Sequence, residues 1–378
     1  MARRRGNHEG SLYQRTDGLW CAQVSLNGRR LTKYSRNPTE CRLWIKQTLG
    51  RIEGGLTYEG TQLTLERFME IWLEGKELSR RPSTVNGYRR YAGLYILPIM
   101  GKERLQDIQP AQIKQLYALM RERGKGARTI QLVHVTLHAA LKQAVREGYL
   151  GRNPVDAVDR PTAETTEFQV WSEEQARQFL ITATGSLYET LFYLALTTGM
   201  RKGELLGLKW SDLDEAECTL FVQRQLQRIP HQGYALVAPK TKAGRRKIKL
   251  GPETLKNLKA FQEQQERLRV AAGDKWQENG MMFTSSIGTF LDQTKVSREF
   301  KKVLKRAGLP DIRFHDLRHT SLSSLMENDT PVNTVQRRAG HAKASTTVNI
   351  YGHASTRSQN EAAEKIEELV VPIKIELQ

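Results

Sequence analysis

The sequence predicts a multidomain α+β protein. We expect a small three-stranded sheet plus a helix, an all-α domain of four helices, and a mixed, mainly α domain with a small antiparallel sheet. The chain has 378 residues, which is enough for two or three domains. Short segments of alternating polarity near the N-terminus predict strands, and helical periodicity across residues 64–159 predicts helices. Beyond residue 170 both patterns occur, which predicts the mixed domain.

Residues 1–58 are predicted to form the small sheet and its helix. Three short strands are expected around residues 11–14, 20–26 and 30–34. Asn27-Gly28 lies between the second and third segments and is a strong signal for a two-residue hairpin turn. Asn37 as N-cap, Pro38 as the first helical residue and Glu40 as the third predict that a helix begins there.

Basic residues are frequent on the tail, strands and turns of this N-terminal module. They are Arg3, Arg4, Arg5, Arg15, Arg29, Arg30 and Lys33. The whole chain has 59 lysines and arginines against 41 acidic residues, a net charge of +18, which favours a polyanionic partner. We therefore expect the module to bind DNA, the alternative being a folded cap with a solvated basic face.

Residues 64–159 are predicted to form four helices. The first has an apolar stripe made of Leu65, Phe68, Met69 and Trp72. The second is expected to stop before Pro98 and the third to begin at Pro110. His134 and His138 lie one helical turn apart, but no third metal ligand is near them in the sequence. We therefore interpret them as packed or capping side chains rather than a metal site.

The remaining chain divides into three segments. Residues 160–170 contain a proline, a threonine cluster and two glutamates, which predicts an exposed linker. Residues 171–356 are expected to form the mixed domain. The tail, residues 357–378, has more acidic than basic residues and an apolar helical stripe, so it is predicted to pack on its own domain or on a neighbouring protomer.

Composition also indicates the cellular compartment of the protein. The sequence has no run of about 18 apolar residues and no apolar core after its basic N-terminus, so we expect neither a membrane span nor a signal peptide. Cys21, Cys41 and Cys218 show no metal-binding spacing and leave an odd thiol, which fits a reducing cytoplasm. A DNA-binding protein there would be associated with the nucleoid.

Four side chains near the C-terminus could act on a phosphodiester. They are His315, Arg318, His341 and Tyr351. Phosphoryl transfer gathers negative charge on the non-bridging oxygens, which arginine and histidine can stabilise in place of Mg²⁺. Arg318 has a planar fork for two oxygens, and Tyr351 is the candidate nucleophile. Because no pair of carboxylates accompanies them, we predict phosphoryl transfer without a metal or cofactor, through a covalent phosphotyrosine.

A second cluster lies earlier in the sequence. An apolar helix is predicted to end at Gly199, and Arg201 would begin a new helix one turn before Glu204. Arg201 would be a second phosphate-binding residue, oriented by Glu204. Residues 238–246 predict a strand, a basic turn and a return strand, from which Lys240 could protonate the leaving 5′ oxygen.

The same basic turn contains Lys242, Arg245 and Arg246. Six of the ten residues from 240 to 249 are basic and none is acidic. For Arg245, Arg246 and Lys247, a solvated face, a non-specific contact to the DNA backbone and a specific contact to a base are open alternatives. Lys242 lies two residues from Lys240, so either lysine could be the general acid.

The chain resembles the tyrosine recombinase (phage integrase) family in five motifs that occur in the family's order. They are Thr-Thr-Gly-Met-Arg201-Lys-Gly-Glu204, Pro-Lys240-Thr, His315-Asp-Leu-Arg318-His, Gly-His341 and Tyr351-Gly-His. By motif the resemblance covers residues 168–355. By arrangement, residues 1–58 resemble the arm-binding domain of lambda-type integrases, and residues 64–159 resemble the core-binding domain.

The resemblance implies a role for each matching residue. Arg201 and Arg318 would bind the scissile phosphate, with Lys240 as general acid, His315 as acid or base, and His341 completing the pocket. Tyr351 would attack and form a 3′-phosphotyrosyl link. Supporting roles fall to Glu204, His319 and His353, with His319 structural or outside the first layer of contacts. The family usually has a larger apolar residue at the position of Ala339, which weakens the packing expected beneath its helix.

The resemblance also implies an activity and partners. The chain would be an integrase, a site-specific recombinase that moves a phage or other mobile element. Its partners would be double-stranded DNA at attachment sites, further copies in a homotetramer, and an excisionase or a host DNA-bending protein. The alternatives are a type IB topoisomerase that relaxes DNA, and a catalytically inactive DNA-binding regulator of the same fold.

Overall fold

The structure is a computed structural model that describes residues 10–26, 29–53, 63–162, 168–229, 232–239, 241–351 and 366. Six side chains for which a role is predicted lie outside the described part, as does most of the tail. They are Arg3, Arg4, Arg5, Arg29, Lys240 and His353. The chain separates into two compact units that divide near residue 165. Across the described ranges, no helix has the length and apolar character needed to cross a membrane.

The first unit begins with the predicted sheet. Strands β1 (Ser11–Gln14), β2 (Trp20–Leu26) and β3 (Arg29–Ser35) are antiparallel in the order β1-β2-β3. Leu26 pairs with Arg29, so two residues connect β2 to β3. Helix α1 (Pro38–Glu53) begins at the predicted residue, where Asn37 Oδ1 accepts the Thr39 N–H at 2.9 Å.

The helical part of the first unit has the four predicted helices and a shorter fifth. They are α2 (Leu65–Ser79), α3 (Pro82–Tyr91), α4 (Leu97–Met100), α5 (Pro110–Glu122) and α6 (Ala127–Arg146). Short 3₁₀ turns lie at Leu105–Asp107 and Pro154–Ala157. The stripe predicted on α2 is buried, with Leu65, Phe68 and Met69 fully inaccessible. Packing of these apolar faces in one core stabilises the short helices.

The prediction that a helix stops before Pro98 is wrong. A π-helical turn, Ala92–Ile96, follows α3 directly and continues into α4. The Leu97 N–H donates to the Ala92 carbonyl across this wider turn. Pro98 then lies in the first turn of α4, directly after this wider turn.

The two histidines of α6 are packed, as interpreted from the sequence. His134 is buried, and its Nδ1 lies 2.9 Å from the Tyr117 hydroxyl. His138 Nε2 lies 2.9 Å from Asp156 Oδ1. Each ring thus has a partner that ties α6 to a neighbouring segment.

The second unit contains two small antiparallel sheets. Strands β4 (Leu213–Asp214), β5 (Thr219–Val222) and β8 (Arg246–Lys249) form one, in the order β4-β5-β8, and β6 (Gln225–Ile229) and β7 (Gly233–Val237) form the other. Strands do lie on either side of the basic turn expected over residues 238–246, but they are not paired with each other, because β7 pairs with β6 and β8 pairs with β5. A 3₁₀ turn, Lys242–Gly244, redirects the chain between them.

Eight α-helices surround these sheets among the described residues. They are α7 (Glu173–Ala183), α8 (Glu189–Thr198), α9 (Lys202–Leu205), α10 (Pro252–Ala272), α11 (Gln293–Ala307), α12 (Asp316–Glu327), α13 (Val332–Ala339) and α14 (Ala344–Tyr351). Shorter 3₁₀ turns lie at Trp210–Asp212 and Gly273–Lys275. Phe179, Phe192 and Phe300 interlock at the centre, with ring centroids 5.3–5.9 Å apart. This core holds the end of α8 against α12, where the candidate site lies.

Candidate active site

The site is organised around the residue that ends α8. Gly199 adopts the left-handed conformation, with a φ of +64°. The positive φ favours glycine, and a Cβ at this position would also meet Ser321 Oγ and Leu322 Cδ2 of α12 at 3.2 Å, so these side chains would have to shift. The Gly199 carbonyl accepts a hydrogen bond from Arg318 Nη1 at 2.7 Å. The turn after α8 is thereby fixed to the first turns of α12.

Arg318 lies at the base of the pocket and is almost fully buried. Besides Gly199, its guanidinium donates through Nη2 to the Ala339 carbonyl at 2.7 Å and to His341 Nε2 at 2.9 Å. Burial, and then repulsion from the nearby Arg201, lower the pKa of Arg318 to about 10. The group stays charged at neutral pH, and the pocket therefore has an excess of positive charge that suits a phosphate.

Arg201 stands at the mouth of the same pocket, one residue before α9. Its Nη1 donates to Glu204 Oε1 at 2.8 Å, and its backbone N–H donates to Glu204 Oε2 at 3.0 Å. Burial alone would raise the pKa of the Glu204 carboxyl, but the adjacent Arg246 and Arg201 hold it below its ordinary value. The Arg201 side chain is 38% exposed, which leaves guanidinium surface open to a ligand.

His341 is held between two partners that determine its tautomer. Arg318 can only donate, so His341 Nε2 accepts and the ring proton lies on Nδ1, which is 2.9 Å from Thr347 Oγ1. Burial and then the charge of Arg318 lower the pKa of His341 to about 4. The ring is neutral at pH 7 and orients Arg318. The small Ala339 noted in the sequence is fully buried next to it.

Tyr351 closes the pocket as the last residue of α14. It is 5% exposed, and its ring lies parallel to that of His341, with centroids 6.2 Å apart. Burial raises the pKa of Tyr351, while the positive charges of Arg318 and Arg201 act in the opposite direction. Two cations thus favour the phenolate that attack on phosphorus would require.

His319 contacts the Tyr351 hydroxyl directly. Its Nδ1 lies 2.9 Å from the Tyr351 oxygen, which is closer to the reacting atom than the sequence interpretation of His319 placed it. Phe168 stacks on the other side of this ring, with centroids 4.2 Å apart. Phe168 belongs to the segment expected to be an exposed linker, so that expectation is wrong at its C-terminal end. Burial lowers the pKa of His319 below its ordinary value.

His315 lies one turn before His319, at the start of α12. Its ring packs edge-on against His319, with centroids 5.1 Å apart, and it remains accessible to solvent. Partial burial, together with His319 and the charges of Arg318 and Arg201, lowers the pKa of His315. His315 therefore lies at the rim of the pocket, whereas His319 touches the tyrosine.

The basic turn separates into exposed and buried residues. Lys242 and Arg245 are exposed, as a contact to DNA requires. Arg246 is buried, and its Nη2 lies 2.9 Å from Glu204 Oε2. The prediction that Arg246 contacts DNA is therefore wrong, because its guanidinium is directed into the protein. The period of two along β8 places Arg246 on the inner face.

The basic residues of the N-terminal sheet divide between its two faces. Ala22 is buried on the face that α1 covers, and Lys33 pairs with it across β2 and β3, so Lys33 shares that covered face. Arg30 is on the opposite, open face, with Tyr34. The Arg15 guanidinium lies 5.0 Å above the Tyr34 ring. Arg15 and Arg30 are thus exposed, whereas Lys33 is half-buried on the covered face.

Two participants, Phe168 and Thr347, had no sequence signal that pointed to them, and the signal for Arg246 pointed to a DNA contact. Phe168 precedes the domain whose site it lines, and Thr347 and Arg246 act through other side chains. In the described ranges, no group of three or more His, Cys, Asp or Glu side chains is placed to hold a metal ion.

Known proteins resemble this chain over most of its length. The model of the phage integrase family matches residues 170–358, and that of the N-terminal SAM-like domain of phage integrases matches residues 64–120. A tyrosine recombinase XerC-like protein of Caldanaerobacter subterraneus is 31% identical over 369 residues, covering 91% of this chain and 94% of its own. The ICEBs1 integrase of Bacillus subtilis is 27% identical over 304 residues, covering 80% and 82%.

Solved structures show the same fold. The Tn1549 transposon integrase in complex with transposon right end DNA superposes with a TM-score of 0.70 at 22% identity, covering 80% of this chain and 99% of that one. A lambda integrase tetramer bound to a Holliday junction gives a TM-score of 0.56 at 20% identity, covering 93% and 98%. The predicted multidomain α+β fold is confirmed.

Fold and pocket together define an enzyme that recombines DNA at specific sites by means of a tyrosine. The chain belongs to the phage integrase family, whose members include the tyrosine recombinases and integrases that it matches. The prediction of a tyrosine-type site-specific recombinase is confirmed. The relatives are named as integrases, transposases and recombinases, and the topoisomerase and the inactive regulator are not favoured.

Proposed function

We propose that this chain integrates and excises a mobile DNA element by cutting and rejoining strands through Tyr351. The observation that carries the proposal is the Tyr351 hydroxyl, 2.9 Å from His319 Nδ1 in a pocket based on the buried cation of Arg318. A nucleophile, a proton acceptor and a positive charge thus meet at one place.

In the proposed reaction the scissile phosphate binds to Arg201 and Arg318. The Tyr351 oxygen attacks phosphorus while its proton passes to His319 Nδ1, which is neutral because burial lowers the pKa of His319. The bond from phosphorus to the 5′ oxygen breaks, and a 3′-phosphotyrosyl bond forms. Rejoining reverses these steps, since a 5′ hydroxyl attacks the phosphotyrosine and releases Tyr351, so the bond energy is conserved without ATP.

The leaving 5′ oxygen also needs a proton. By family resemblance Lys240 supplies it, with the exposed Lys242 as the alternative. His315 at the rim and His341 beneath Arg318 complete the binding of the phosphate. His353 would support Tyr351 from the segment that follows α14.

The other parts of the chain would bind and assemble on DNA in the cytoplasm, at the nucleoid. We assign arm-site binding to residues 1–58, core-site binding to 64–159, a connection to 160–170 and catalysis to 171–356. The tail, 357–378, would pack in cis or on a neighbour. The lambda integrase tetramer on a Holliday junction supports a homotetramer, to which an excisionase or a host DNA-bending protein would add direction.

The test is covalent trapping on a nicked suicide duplex taken from the DNA that flanks the gene. We expect the wild type to give an adduct that survives denaturation and EDTA, and Tyr351→Phe to give none. Persistence of the adduct in Tyr351→Phe would assign the nucleophile elsewhere. Specific binding of the duplex without any adduct would contradict the proposed catalysis. A circular plasmid with two sites then separates strand exchange from relaxation.

A further inference from the structure

Arg246 lies within the most basic segment of the chain and yet does not reach the solvent. Its side chain is 6% exposed, and three carbonyl or carboxylate groups surround it. Nη2 donates to Glu204 Oε2 at 2.9 Å, Nε donates to the Arg338 carbonyl at 2.6 Å, and Nη1 donates to the Gly244 carbonyl at 3.2 Å. A buried arginine with every arm engaged is held in one orientation.

The contact with Glu204 connects Arg246 to Arg201 in the phosphate pocket. Glu204 is 2% exposed and shares its two oxygens between two arginines. Oε1 accepts from Arg201 Nη1, and Oε2 accepts from both the Arg201 N–H and Arg246 Nη2. Arg201 therefore takes its position from a carboxylate that Arg246 neutralises and orients.

The contact with the Arg338 carbonyl connects Arg246 to the segment that holds Arg318 and His341. The Arg338 carbonyl that accepts from Arg246 is adjacent to Ala339, whose carbonyl accepts from Arg318. Gly340 follows with a φ of +68°, and a Cβ there would lie 2.9 Å from both Arg246 Nη1 and the Ala243 carbonyl. The turn that presents His341 is thus built directly against Arg246.

Removing Arg246 would leave Glu204 buried with a single cation. The carboxylate would then draw the Arg201 guanidinium further inward to satisfy both oxygens, or it would take up a proton and release Arg201. Either change moves the guanidinium away from the position at which it can stabilise charge on a phosphate.

We propose that Arg246 is a positioning residue that acts through Glu204 to hold Arg201 on the non-bridging oxygens of the scissile phosphate. This inference rests on the proposed function, because it takes Arg201 as a phosphate-binding residue. It adds a positioning residue to the six catalytic and three supporting side chains that the family resemblance assigns. Arg246 touches neither DNA nor Tyr351 in this role.

The test compares two nicked duplexes that differ only at the scissile position. One has the ordinary phosphodiester, and the other has a methylphosphonate, in which a methyl group replaces a charged oxygen. A neutral phosphonate needs less charge compensation, so it should tolerate a misplaced Arg201. The readout is the ratio of the two single-turnover cleavage rates within each variant, in which the fraction of folded protein cancels.

For Arg246→Met we expect cleavage of the phosphodiester to fall about 10²-fold, with a much smaller loss on the methylphosphonate, because one preorganised donor is displaced. Arg201→Ala should change the ratio in the same direction. Arg246→Lys keeps the charge but not the fork, so it should be intermediate. Arg224→Met is the matched control, since it breaks a half-buried pair with Asp212 outside the pocket and should leave the ratio unchanged.

Two results would overturn the inference. If Arg246→Met cleaves the phosphodiester at the wild-type rate, Arg246 does not position Arg201. If cleavage of both duplexes falls equally, Arg246 has only a structural role. Both results differ from failure of the proposed function, in which the wild type itself forms no adduct. If Arg246→Met does not fold, the ratio for Arg246→Lys decides in the same way.

Discussion

The two units of the molecule each contain a tyrosine hydroxyl 2.9 Å from a histidine Nδ1. In the first unit Tyr117 bonds to His134, and in the second Tyr351 bonds to His319. Burial raises the pKa of both tyrosines, but positive charges from Arg318 and Arg201 oppose the shift only at Tyr351. A proton acceptor therefore does not by itself make a tyrosine a nucleophile, because the phenolate also needs nearby cations.

The largest expected effect comes from deleting each hydroxyl in turn. Tyr351→Phe should abolish the covalent adduct with DNA, since no other oxygen occupies its place. Tyr117→Phe should leave adduct formation unchanged and lower the free energy of unfolding by roughly 1 kcal/mol, the net contribution of one buried hydrogen bond. Denaturing gels and thermal unfolding measure the two outcomes. Loss of the adduct in Tyr117→Phe would show that the comparison is wrong.

The second prediction tests the positive charge that lies near Tyr351 and that has no counterpart near Tyr117. Arg318→Lys keeps one positive charge but cannot donate at once to Gly199, Ala339 and the phosphate. We expect single-turnover cleavage to fall about 10²-fold to 10³-fold at saturating DNA, the loss typical of one transition-state donor. Arg224→Lys, in the ion pair with Asp212, serves as control and should keep the wild-type rate. Equal losses in both variants would indicate general destabilisation instead.

A third test replaces each of the two histidines by glutamine. His319→Gln can still hydrogen-bond to Tyr351 but cannot take its proton, so cleavage should fall about 10²-fold. His134→Gln should not affect cleavage.

The pH dependence of cleavage also tests whether His319 accepts the proton. Burial lowers the pKa of His319, so the ring stays neutral as the pH falls through the ordinary histidine value of about 6.5. The wild-type rate should therefore fall only below that pH, where His319 becomes protonated. In His319→Gln this acid limb should disappear. An unchanged acid limb would assign the proton to His315 at the rim.

The smallest effect concerns the aromatic cover of His319. Phe168→Ala exposes the ring face that Phe168 now covers at a centroid distance of 4.2 Å. Because burial is the main cause of the lowered pKa of His319, greater exposure should raise that pKa and move the acid limb to higher pH. At neutral pH the rate should change only a few-fold, since the ring remains mostly neutral. Phe168→Leu keeps an apolar cover and should retain most of the wild-type profile, which pH–rate curves can resolve.

Local chemistry allowed much of this molecule to be predicted from its sequence. Asn37 and Pro38 specify a helix start through their own backbone preferences, and the structure begins α1 there. Gly199 is required by a positive φ, and Arg201 follows it at a fixed distance along the chain. The motif around Arg318 likewise lies within one helix, α12. Where neighbours in sequence are also neighbours in space, the pattern of residues is sufficient.

The sequence could not predict contacts between distant segments, because they depend on how separate elements pack. Pro98 indicated the end of a helix, yet a π-helical turn carries the chain past it. Arg246 had the appearance of a DNA contact until the pairing of β8 with β5 turned it inward to Glu204, 42 residues away in sequence.

Residue types and their local spacing were enough to predict the fold class, the family and the set of candidate groups. Which of these groups touch depends on how distant segments pack, and only the folded chain shows it. Tertiary structure placed His319 rather than His315 against Tyr351, covered that ring with Phe168 and joined Arg246 to Arg201 through one carboxylate. Those contacts arise from burial, which sets both the distance between groups and the protonation state in which each one can act.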